Sequence, residues 1–255
     1  MSSPRFDGKL VLVTGAAQGM GSTIARHFAG LGAKVAVNDI RLDSRLESLA
    51  SEIGGVVAPA DVSDPAQVAK LVADLQSSAG DVDVLVSNHA YMTMDSFLTY
   101  DEAQWWKIID TNLGGTFSLI QNVLPGMRRS GAGRIVVTSS IWGVSGWPEA
   151  TAYAASKAGL ISLVKTLGRE LGPENIVINA VAPGIIDTPQ LDVDAASAGI
   201  TVAEMHEHYA KDIPLGRIGV PQEIAATIAM LADFRLRSLI GQTIQINGGE
   251  LRSRV

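Results

Sequence analysis

A tyrosine and a lysine stand four positions apart in the segment Tyr-Ala-Ala-Ser-Lys at residues 153–157, and Ser140 lies thirteen residues before the tyrosine. On a helix, side chains with this spacing leave the same face, with roughly 5–6 Å between their Cβ atoms. A free phenol titrates near pH ~10, but a fixed neighbouring cation stabilises the phenolate and lowers its pKa. Tyr153 and Lys157 are therefore a candidate proton shuttle. The spacing alone also fits an ordinary amphipathic helix, so the interpretation depends on the rest of the chain.

A glycine-rich turn near the start of the chain is a candidate phosphate-binding site. It follows an apolar, β-branched run at residues 9–14 and precedes a helical pattern at residues 22–31. A glycine backbone can approach a pyrophosphate closely, and a helix N-terminus offers free N–H groups to it. The glycine spacing is G-x-x-x-G-x-G, which differs from the commoner G-x-G-x-x-G. The turn predicts contacts to a dinucleotide from Gly15, Gln18, Gly19, Met20 and Gly21.

Short apolar runs alternate with helical patterns along most of the chain. The runs predict strands at residues 9–14, 33–38, 56–60, 82–86, 133–138, 175–182 and 243–246. Such alternation produces right-handed crossovers and a doubly wound parallel α/β sheet, with helices on both faces and ligands bound outside the carboxyl ends of the strands. We expect a single domain over residues 1–255, in which an irregular, acidic segment at about 187–213, with one helix at 201–211, covers the substrate.

Acidic residues follow the second and third predicted strands. Asp39 lies eighteen residues beyond Gly21, where a carboxylate accepts hydrogen bonds from the adenosine ribose and repels a 2′-phosphate. This position favours NAD over NADP, although Arg41 is close enough in sequence to receive a phosphate instead, and Asp39 also fits a simple turn residue. Asp61, followed by Val62, is expected at the adenine edge, with a helix cap or turn as the alternative for it.

Two long helices are predicted to be apolar on more than one face. In the helix at residues 101–124, Asn112 is a poor helix former that faces a polar partner, bends the helix or is simply exposed. The helix at about 152–170 carries Tyr153, and one of its faces must cover the sheet. The remaining apolar surface predicts an interface between copies of the chain, and hence a homo-oligomer.

Composition excludes several classes of protein. The chain has 255 residues, of which 47% are hydrophobic and 18% charged, and a net charge of −6. No basic run stands out, which argues against a nucleic-acid binder. The absence of cysteine excludes disulfides and thiolate chemistry, and no metal site is expected. No apolar run approaches the ~18 residues of a membrane span, and no signal core is present. We expect a cytoplasmic protein that binds neither membrane nor nucleic acid.

From about Lys9 to Gly249, the chain resembles the one-domain short-chain dehydrogenases/reductases, a family with the Rossmann fold. The resemblance is carried by Thr-Gly-x-x-x-Gly-x-Gly at residues 14–21, by Asp39, by Asp61-Val62 and by Tyr-x-x-x-Lys at residues 153–157. It implies an assembly of four subunits. It implies a catalytic set formed by Asn112, Ser140, Tyr153 and Lys157. It implies NAD as the cofactor, bound by Tyr153 and Lys157 and also by Asn88, Pro183, Gly184, Ile186 and Thr188.

The reaction implied by this resemblance is hydride transfer between NAD and a carbon that bears a hydroxyl or carbonyl group. Tyr153 is expected to act as general acid and base, Ser140 to donate a hydrogen bond to the reacting oxygen, and Lys157 to lower the tyrosine pKa and bind the nicotinamide ribose. Asn112 is expected to hold a water that links Lys157 to solvent. The alternatives are an NADP-preferring carbonyl or sugar-alcohol reductase of the same family and a non-catalytic NAD-binding regulator. An epimerase or dehydratase would usually need a longer chain.

The resemblance also places a mostly apolar lining around the nicotinamide. Such a lining favours a moderately large cyclic or aromatic alcohol over a free sugar, unless Trp142 and Trp147 pack at a subunit interface instead. The motif at residues 87–90 reads Ser-Asn-His-Ala where the family usually has Asn-Asn-Ala-Gly, so His89 is either a pocket residue or a packed histidine. The acidic cover predicts repulsion of a strongly anionic substrate. The predicted lining is His89, Tyr91, Met92, Met94, Ile141, Trp142, Trp147 and Ile185.

Overall fold

A single parallel sheet of seven strands runs through residues 4–252, the part of the chain that the computed structural model describes. The strands are β1 (Leu10–Thr14), β2 (Lys34–Asn38), β3 (Val56–Val57), β4 (Val84–Ser87), β5 (Gly133–Thr138), β6 (Ile176–Pro183) and β7 (Thr243–Ile246). Their order across the sheet is β3-β2-β1-β4-β5-β6-β7. The chain adds strands on one side of β1 up to β3 and on the other side from β4 onward, and ligands bind at such a switch point between β1 and β4 in folds of this kind. The predicted doubly wound α/β class is therefore confirmed.

Helices cover both faces of this sheet. None of those within residues 4–252 is long and apolar enough to cross a bilayer, and the expected cytoplasmic location stays a prediction. The helices are α1 (Gly19–Gly30), α2 (Ser44–Ile53), α3 (Pro65–Ser78), α4 (Glu102–Ile109), α5 (Gly115–Ser130), α6 (Trp142–Ser145), α7 (Thr151–Leu171), α8 (Gln190–Ala198), α9 (Val202–Ala210) and α10 (Pro221–Leu231), with a π-helical turn at Asp110–Gly114 and a 3₁₀ turn at Gly172–Glu174.

The alternating side chains of β1 illustrate how the core is divided. Val11 and Val13 belong to one buried cluster together with residues of α1 and α10, whereas Leu10 and Leu12 belong to a second cluster with residues of α3, α5 and α7. Successive strand residues point to opposite faces of a sheet, so a run without polar positions requires cover on both faces. The apolar run at residues 9–14 thus holds the glycine turn that follows it on a rigid support.

The helix predicted at 101–124 is divided in two at Asn112. The π-helical turn at Asp110–Gly114 separates α4 from α5, and α5 continues to Ser130, where Gly131 adopts a left-handed conformation with a φ of 68°. A π-helical turn inserts an extra residue into the helix and commonly marks a functional site. Asn112 is buried in this turn. The sequence-based alternative of a polar partner describes it, and exposure does not.

The prediction of an irregular segment at 187–213 is wrong in part, because this segment contains helix α8 in addition to the expected helix α9. These two helices share a small apolar core of their own, formed by Leu191, Ala195, Met205, Ile213 and Ile218. The α8 sequence is short, acidic and rich in small residues, so it lacks a strong helical periodicity. Long-range packing on α9 stabilises it instead. Helix α10 was not predicted.

Candidate active site

Ser140, Tyr153 and Lys157 converge beyond the carboxyl end of β5. Ser140 follows this strand by two residues, and the other two side chains extend from α7. The Ser140 hydroxyl interacts with the Tyr153 phenol as a hydrogen-bonding group that lowers the phenol's pKa. Lys157 Nζ donates to the Thr138 carbonyl at 2.8 Å and lies 5.4 Å from the centroid of the Tyr153 ring. The structure therefore brings the predicted serine, tyrosine and lysine into one cluster.

Burial dominates the ionisation of this cluster. Desolvation raises the pKa of the Tyr153 phenol to about 12, and the hydrogen bond with Ser140 acts in the opposite direction. Desolvation also lowers the pKa of Lys157 to about 7. Both effects arise because the charged form of each group is disfavoured away from water. The shift of Tyr153 is thus opposite to the lowering that a neighbouring cation was expected to produce.

Asn112 connects the loop after β4 to α7. Its Oδ1 accepts a hydrogen bond from the Tyr91 backbone N–H at 2.7 Å, and its Nδ2 donates to the Tyr91 carbonyl and to Ser156 Oγ, both at 3.0 Å. Ser156 in turn donates to the Tyr153 carbonyl at 2.7 Å. Asn112 lines neither of the two cavities described below. It positions the helix that carries Tyr153, and its expected role as a water ligand stays a prediction.

A cavity of about 430 Å³, here called the glycine-loop cavity, opens beside the turn between β1 and α1. Gly15 and Gly19 have φ values of 62° and 55°, and a Cβ on Gly21 would collide with the Gly15 carbonyl. Only glycine adopts these conformations and this close approach readily. The sequence-predicted residues that line the cavity are Gly15, Gln18, Gly19, Met20, Gly21, Asp39, Asp61, Val62, Asn88 and Thr188.

The first turn of α1 fits the phosphates of a dinucleotide. Gln18 precedes this helix without a side-chain cap, and the first turn contains no acidic residue. Its backbone N–H groups and the positive end of the helix dipole are therefore available to an anion in the cavity. Asn88 fixes the turn from the other side, because its Nδ2 donates to the carbonyls of Thr14 at 3.2 Å and of Gly15 at 3.3 Å.

Two carboxylates, those of Asp39 and Asp61, line the glycine-loop cavity. Asp39 accepts hydrogen bonds from the backbone N–H groups of Ala17 at 3.0 Å and Ile40 at 2.8 Å, so its side chain is held in place. Arg41 does not line the cavity. Asp61 accepts from the N–H and hydroxyl of Ser63 at 2.9 Å and 2.6 Å, so it is a turn residue that also lines the cavity. The helix cap that was the alternative for Asp61 is provided by Asp64.

A second cavity, of about 250 Å³, adjoins the first and contains Ser140, Tyr153 and Lys157; it is called the tyrosine cavity here. Trp142 and Trp147 line it and stack on each other with ring centroids 5.0 Å apart. The predicted residues that line this cavity are Met92, Met94, Ile141, Trp142, Trp147, Pro183, Gly184, Ile185 and Ile186. The mostly apolar wall expected around the reacting carbon is thus present in the described chain.

Comparison with known proteins places this geometry in a family. The family model described as enoyl-(acyl carrier protein) reductase matches residues 15–250. The chain is 40% identical over 251 residues to the 3-oxoacyl-(acyl-carrier-protein) reductase FabG of Thermotoga maritima, covering 96% of this chain and 98% of that protein. The chain belongs to the short-chain dehydrogenase/reductase family. Members of this family bind a nicotinamide cofactor, and the chain is an oxidoreductase.

Two further relatives extend the same conclusion. The FabG reductase of Staphylococcus aureus strain Mu50 is 39% identical over 247 residues, covering 94% of this chain and 97% of that protein. The crystal structure of levodione reductase superposes with a TM-score of 0.91 at 30% identity, covering 96% of this chain and 98% of that chain. The fold of this short-chain dehydrogenase/reductase is therefore shared over nearly its whole length with a reductase of known structure.

His89, the residue that departs from the pattern of the short-chain dehydrogenases/reductases, does not line the tyrosine cavity. Its Nδ1 lies 2.8 Å from Thr14 Oγ1, and its Nε2 lies 3.1 Å from the Thr111 carbonyl. A carbonyl only accepts, so Nε2 carries the proton and Nδ1 accepts from the threonine hydroxyl. Burial lowers the pKa of His89 to about 3. Both ring nitrogens are thus bonded, as the packed-histidine alternative expects. His89 and Tyr91 line the glycine-loop cavity and not the tyrosine cavity, and their role in a substrate pocket stays a prediction.

The sequence analysis did not assign to the substrate cavity four residues that line it from α8 and α9. They are Gln190, Leu191, Asp194 and Tyr209. Asp194 was expected only as part of an acidic cover. The missing signal was the helical form of α8, which places residues 190 and 194 on one side of the helix.

Proposed function

We propose that the protein is an NAD(H)-dependent oxidoreductase that interconverts a secondary alcohol and its ketone. The observation that carries the proposal is the cluster of Ser140, Tyr153 and Lys157 in the tyrosine cavity, directly beside the glycine-loop cavity. Met20, Asn88 and Thr188 line both cavities, so a dinucleotide in the first would present its reactive ring to the second. The predominantly apolar wall supports a cyclic or aromatic substrate.

Each polar group of the cluster has a distinct task in this reaction. The nicotinamide, when bound, supplies or accepts the hydride. Tyr153 removes the hydroxyl proton in the oxidation and returns it in the reduction. Ser140 donates a hydrogen bond to the same oxygen, which stabilises the charge that develops there. Lys157, anchored on the Thr138 carbonyl, provides the positive charge that favours the phenolate when the proton leaves.

NAD rather than NADP is the proposed cofactor because of the Asp39 carboxylate. This side chain is fixed in the glycine-loop cavity by two backbone donors. A ribose with free hydroxyls can donate to it, whereas a 2′-phosphate would add negative charge beside it. The nearby Arg45 pairs with Asp43 at 2.6 Å and donates to Gln18 Oε1 at 2.6 Å, and it does not itself line the cavity.

A second candidate, reduction of a 3-oxoacyl thioester, is favoured by the relatives named FabG. The acidic side chains of α8 and α9, among them Asp194 in the tyrosine cavity itself, argue against a thioester joined to an anionic carrier, although the thioester group itself is neutral. The test is a comparison of kcat/KM, with both cofactors, for a cyclic ketone and for acetoacetyl-N-acetylcysteamine. A thioester preference of tenfold or more would replace the proposed function with this alternative. Absence of turnover with any alcohol, ketone or thioester would favour a binding protein.

We also propose that the protein is a homo-oligomer, with a tetramer suggested by the family. Part of the apolar surface of α7 is covered within the chain, because α4 and the π-helical turn pack against it. Trp106 on α4 and Phe117 on α5 are nevertheless 52% and 53% exposed. Large aromatic side chains on consecutive helices are typical of surfaces between subunits.

A further inference from the structure

Asp194 is a carboxylate inside the substrate cavity. It extends from α8 into the wall of the tyrosine cavity and is half-buried. Gln190 Nε2 donates to its Oδ1 at 3.0 Å, and the Tyr209 hydroxyl donates to its Oδ2 at 3.3 Å. An ionised carboxylate can accept about four hydrogen bonds. Two positions on Asp194 therefore remain for other donors.

Asp194 also lacks a cationic partner in the described part of the chain. Two nearby carboxylates have partners of their own: Asp187 lies 3.4 Å from His206 Nε2, and Glu204 accepts from the Thr201 hydroxyl in a capping box. Between residues 4 and 252, no lysine, arginine or histidine forms an ion pair with Asp194. Of these carboxylates, Asp194 lines the tyrosine cavity, so a bound molecule can supply the donors that it lacks.

Tyr209 holds the Asp194 carboxylate in its orientation. Burial and the negative charge of Asp194 both raise the pKa of the Tyr209 phenol, so the phenol remains a donor at neutral pH. Its ring packs on the small core beneath α8 and α9. The hydrogen bond is long at 3.3 Å, and bonds at this length are weaker than those near 2.7 Å. Tyr209 thus orients Asp194 without satisfying it.

The rest of the cavity suits a ring next to this carboxylate. Trp142 and Trp147 stack with their planes 9° apart, and Tyr153 meets Trp142 edge to face at 5.8 Å. Aromatic faces attract both apolar rings and cations. A bound molecule would therefore have an apolar body, a reacting carbon at Tyr153 and a donor that reaches Asp194.

We propose that the substrate is a cyclic secondary alcohol or ketone that carries a second, hydrogen-bond-donating substituent, and that Asp194 accepts this donor. The inference rests on the proposed function, which supplies the reacting carbon. A hydroxyl group and an ammonium group can both donate a hydrogen bond to Asp194. A carboxylate group in the same position has no donor and would be repelled by Asp194. Asp194 then determines specificity and takes no part in the proton transfer.

The kinetic test compares four rings of similar size with NAD: cyclohexanol, 1,4-cyclohexanediol, 4-aminocyclohexanol and 4-hydroxycyclohexanecarboxylate. We expect the diol or the amino alcohol to exceed cyclohexanol in kcat/KM by about tenfold or more, as a hydrogen bond to a charged group provides, and the carboxylate to be the poorest. Asp194→Ala should abolish this preference by lowering kcat/KM for the diol and the amino alcohol towards the value for cyclohexanol. Asp194→Asn should abolish only the preference for the ammonium group.

The control is Asp192→Ala, which removes a neighbouring exposed carboxylate that lies outside the tyrosine cavity. It should leave all four ratios unchanged. The proposal would be overturned if the preference for the diol or the amino alcohol survived Asp194→Ala, or if Asp192→Ala removed it equally. The negative charge of the whole α8–α9 segment, and not Asp194, would then determine the preference. An unsubstituted ring that matches the diol and the amino alcohol in the wild-type protein would overturn it as well.

Binding of cyclohexylammonium, measured by calorimetry with NADH present, separates this proposal from the proposed function. If none of the four alcohols is oxidised but cyclohexylammonium binds and Asp194→Ala abolishes that binding, the proposed function fails and the donor site stands. If the alcohols are oxidised without any dependence on Asp194, the function stands and the donor site fails. Binding that is absent, or equal in both proteins, while turnover is also absent would reject the donor site.

Discussion

Lys157 Nζ lies 5.4 Å from the centre of the Tyr153 ring while it donates a 2.8 Å hydrogen bond to the Thr138 carbonyl. The ammonium group is therefore fixed to the sheet, and α7 and β5 together set its distance from the phenol. A second bond, from Ser139 Oγ to the Lys157 carbonyl at 2.8 Å, ties the same turn of the helix to the strand end. The proposed proton transfer depends on this rigid placement, because general acid and base catalysis requires fixed geometry as well as a suitable pKa.

Tyr153→Phe should abolish turnover and leave NADH affinity nearly unchanged. The substitution removes the proton-transferring hydroxyl but retains the ring that packs on Trp142. General acid and base catalysis contributes roughly 10²–10⁴-fold, so a loss of this size in kcat is expected in a steady-state assay. Tyr100→Phe is the matched control, since its hydroxyl bonds to Thr93 and lies outside both cavities. Retention of more than about a tenth of wild-type kcat by Tyr153→Phe would reject the assignment.

The two directions of the reaction should differ in their dependence on pH. Burial raises the pKa of Tyr153 to about 12, so the phenol keeps its proton between pH 6 and 9. Ketone reduction needs this neutral form and should not lose rate through Tyr153 over that range. Alcohol oxidation needs the phenolate, so its kcat/KM should rise with pH, by up to about tenfold per unit below the Lys157 pKa of about 7 and less steeply above it, where Lys157 loses the charge that favours the phenolate. Initial rates of ketone reduction and of alcohol oxidation, measured as a function of pH, would check both expectations. An oxidation profile that is flat or that falls with pH would contradict the role of Tyr153 as the base.

Asp39→Ala should weaken NAD binding and relieve the repulsion of NADP. The wild-type protein should prefer NAD by about tenfold or more in kcat/KM, which corresponds to ~1.4 kcal/mol of differential binding. Glu47→Ala is the control, because it removes an exposed carboxylate in the first turn of α2 that does not line the glycine-loop cavity. Equal kcat/KM for the two cofactors in the wild-type protein would contradict the proposal. Arg41 would then be the next residue to test as a partner for the 2′-phosphate.

His89→Ala should lower stability without displacing the apparent pKa values of the reaction. It leaves the Thr111 carbonyl and the Thr14 hydroxyl without their histidine partner, at a cost of about 1–3 kcal/mol in urea unfolding at pH 7.5. A displaced pH profile for kcat/KM would instead assign His89 to the chemistry. His208→Ala, which removes an exposed histidine, is the control.

The same variant should change how stability responds to acid. The pKa of His89 is about 3 in the folded chain against an ordinary value of 6.5. Between these values the unfolded state binds the proton and the folded state does not, so the free energy of unfolding falls as pH falls from 6.5 towards 3. His89→Ala removes this contribution. Its stability should therefore decline less steeply than that of the wild-type protein between pH 7 and pH 4.5, and equal slopes would show that His89 is not held neutral.

Sedimentation equilibrium should give a mass well above that of one chain at micromolar concentration. The expected interface includes the exposed Trp106 and Phe117, and Phe117→Asp should shift the protein towards smaller species. Lys70→Asp, on the exposed face of α3, is the control for a change of surface charge. A wild-type mass near 26.8 kDa would contradict the oligomer.

The sequence by itself determined the sheet, the glycine turn and the pairing of Tyr153 with Lys157. These features depend on local relations: strand runs are short and continuously apolar, the turn requires glycine at fixed spacing, and positions four apart on a helix always share a face. The sequence also showed that His89 departs from the family's usual motif. It did not show whether the His89 ring enters the tyrosine cavity. The position of the ring depends on the Thr14 hydroxyl and the Thr111 carbonyl, which come from distant parts of the chain and contact its two nitrogens.

Only the tertiary structure decided the ionisation of the cluster and the cover of the cavity. The pKa of Tyr153 follows from how many atoms exclude water around it, which no spacing of residues encodes. Helix α8 forms because Leu191 and Ala195 pack on α9, although its own sequence is a weak helix signal. That packing also brings Asp194 and Tyr209 into the tyrosine cavity. Both outcomes come from contacts between residues far apart in sequence, where long-range burial outweighs local preference.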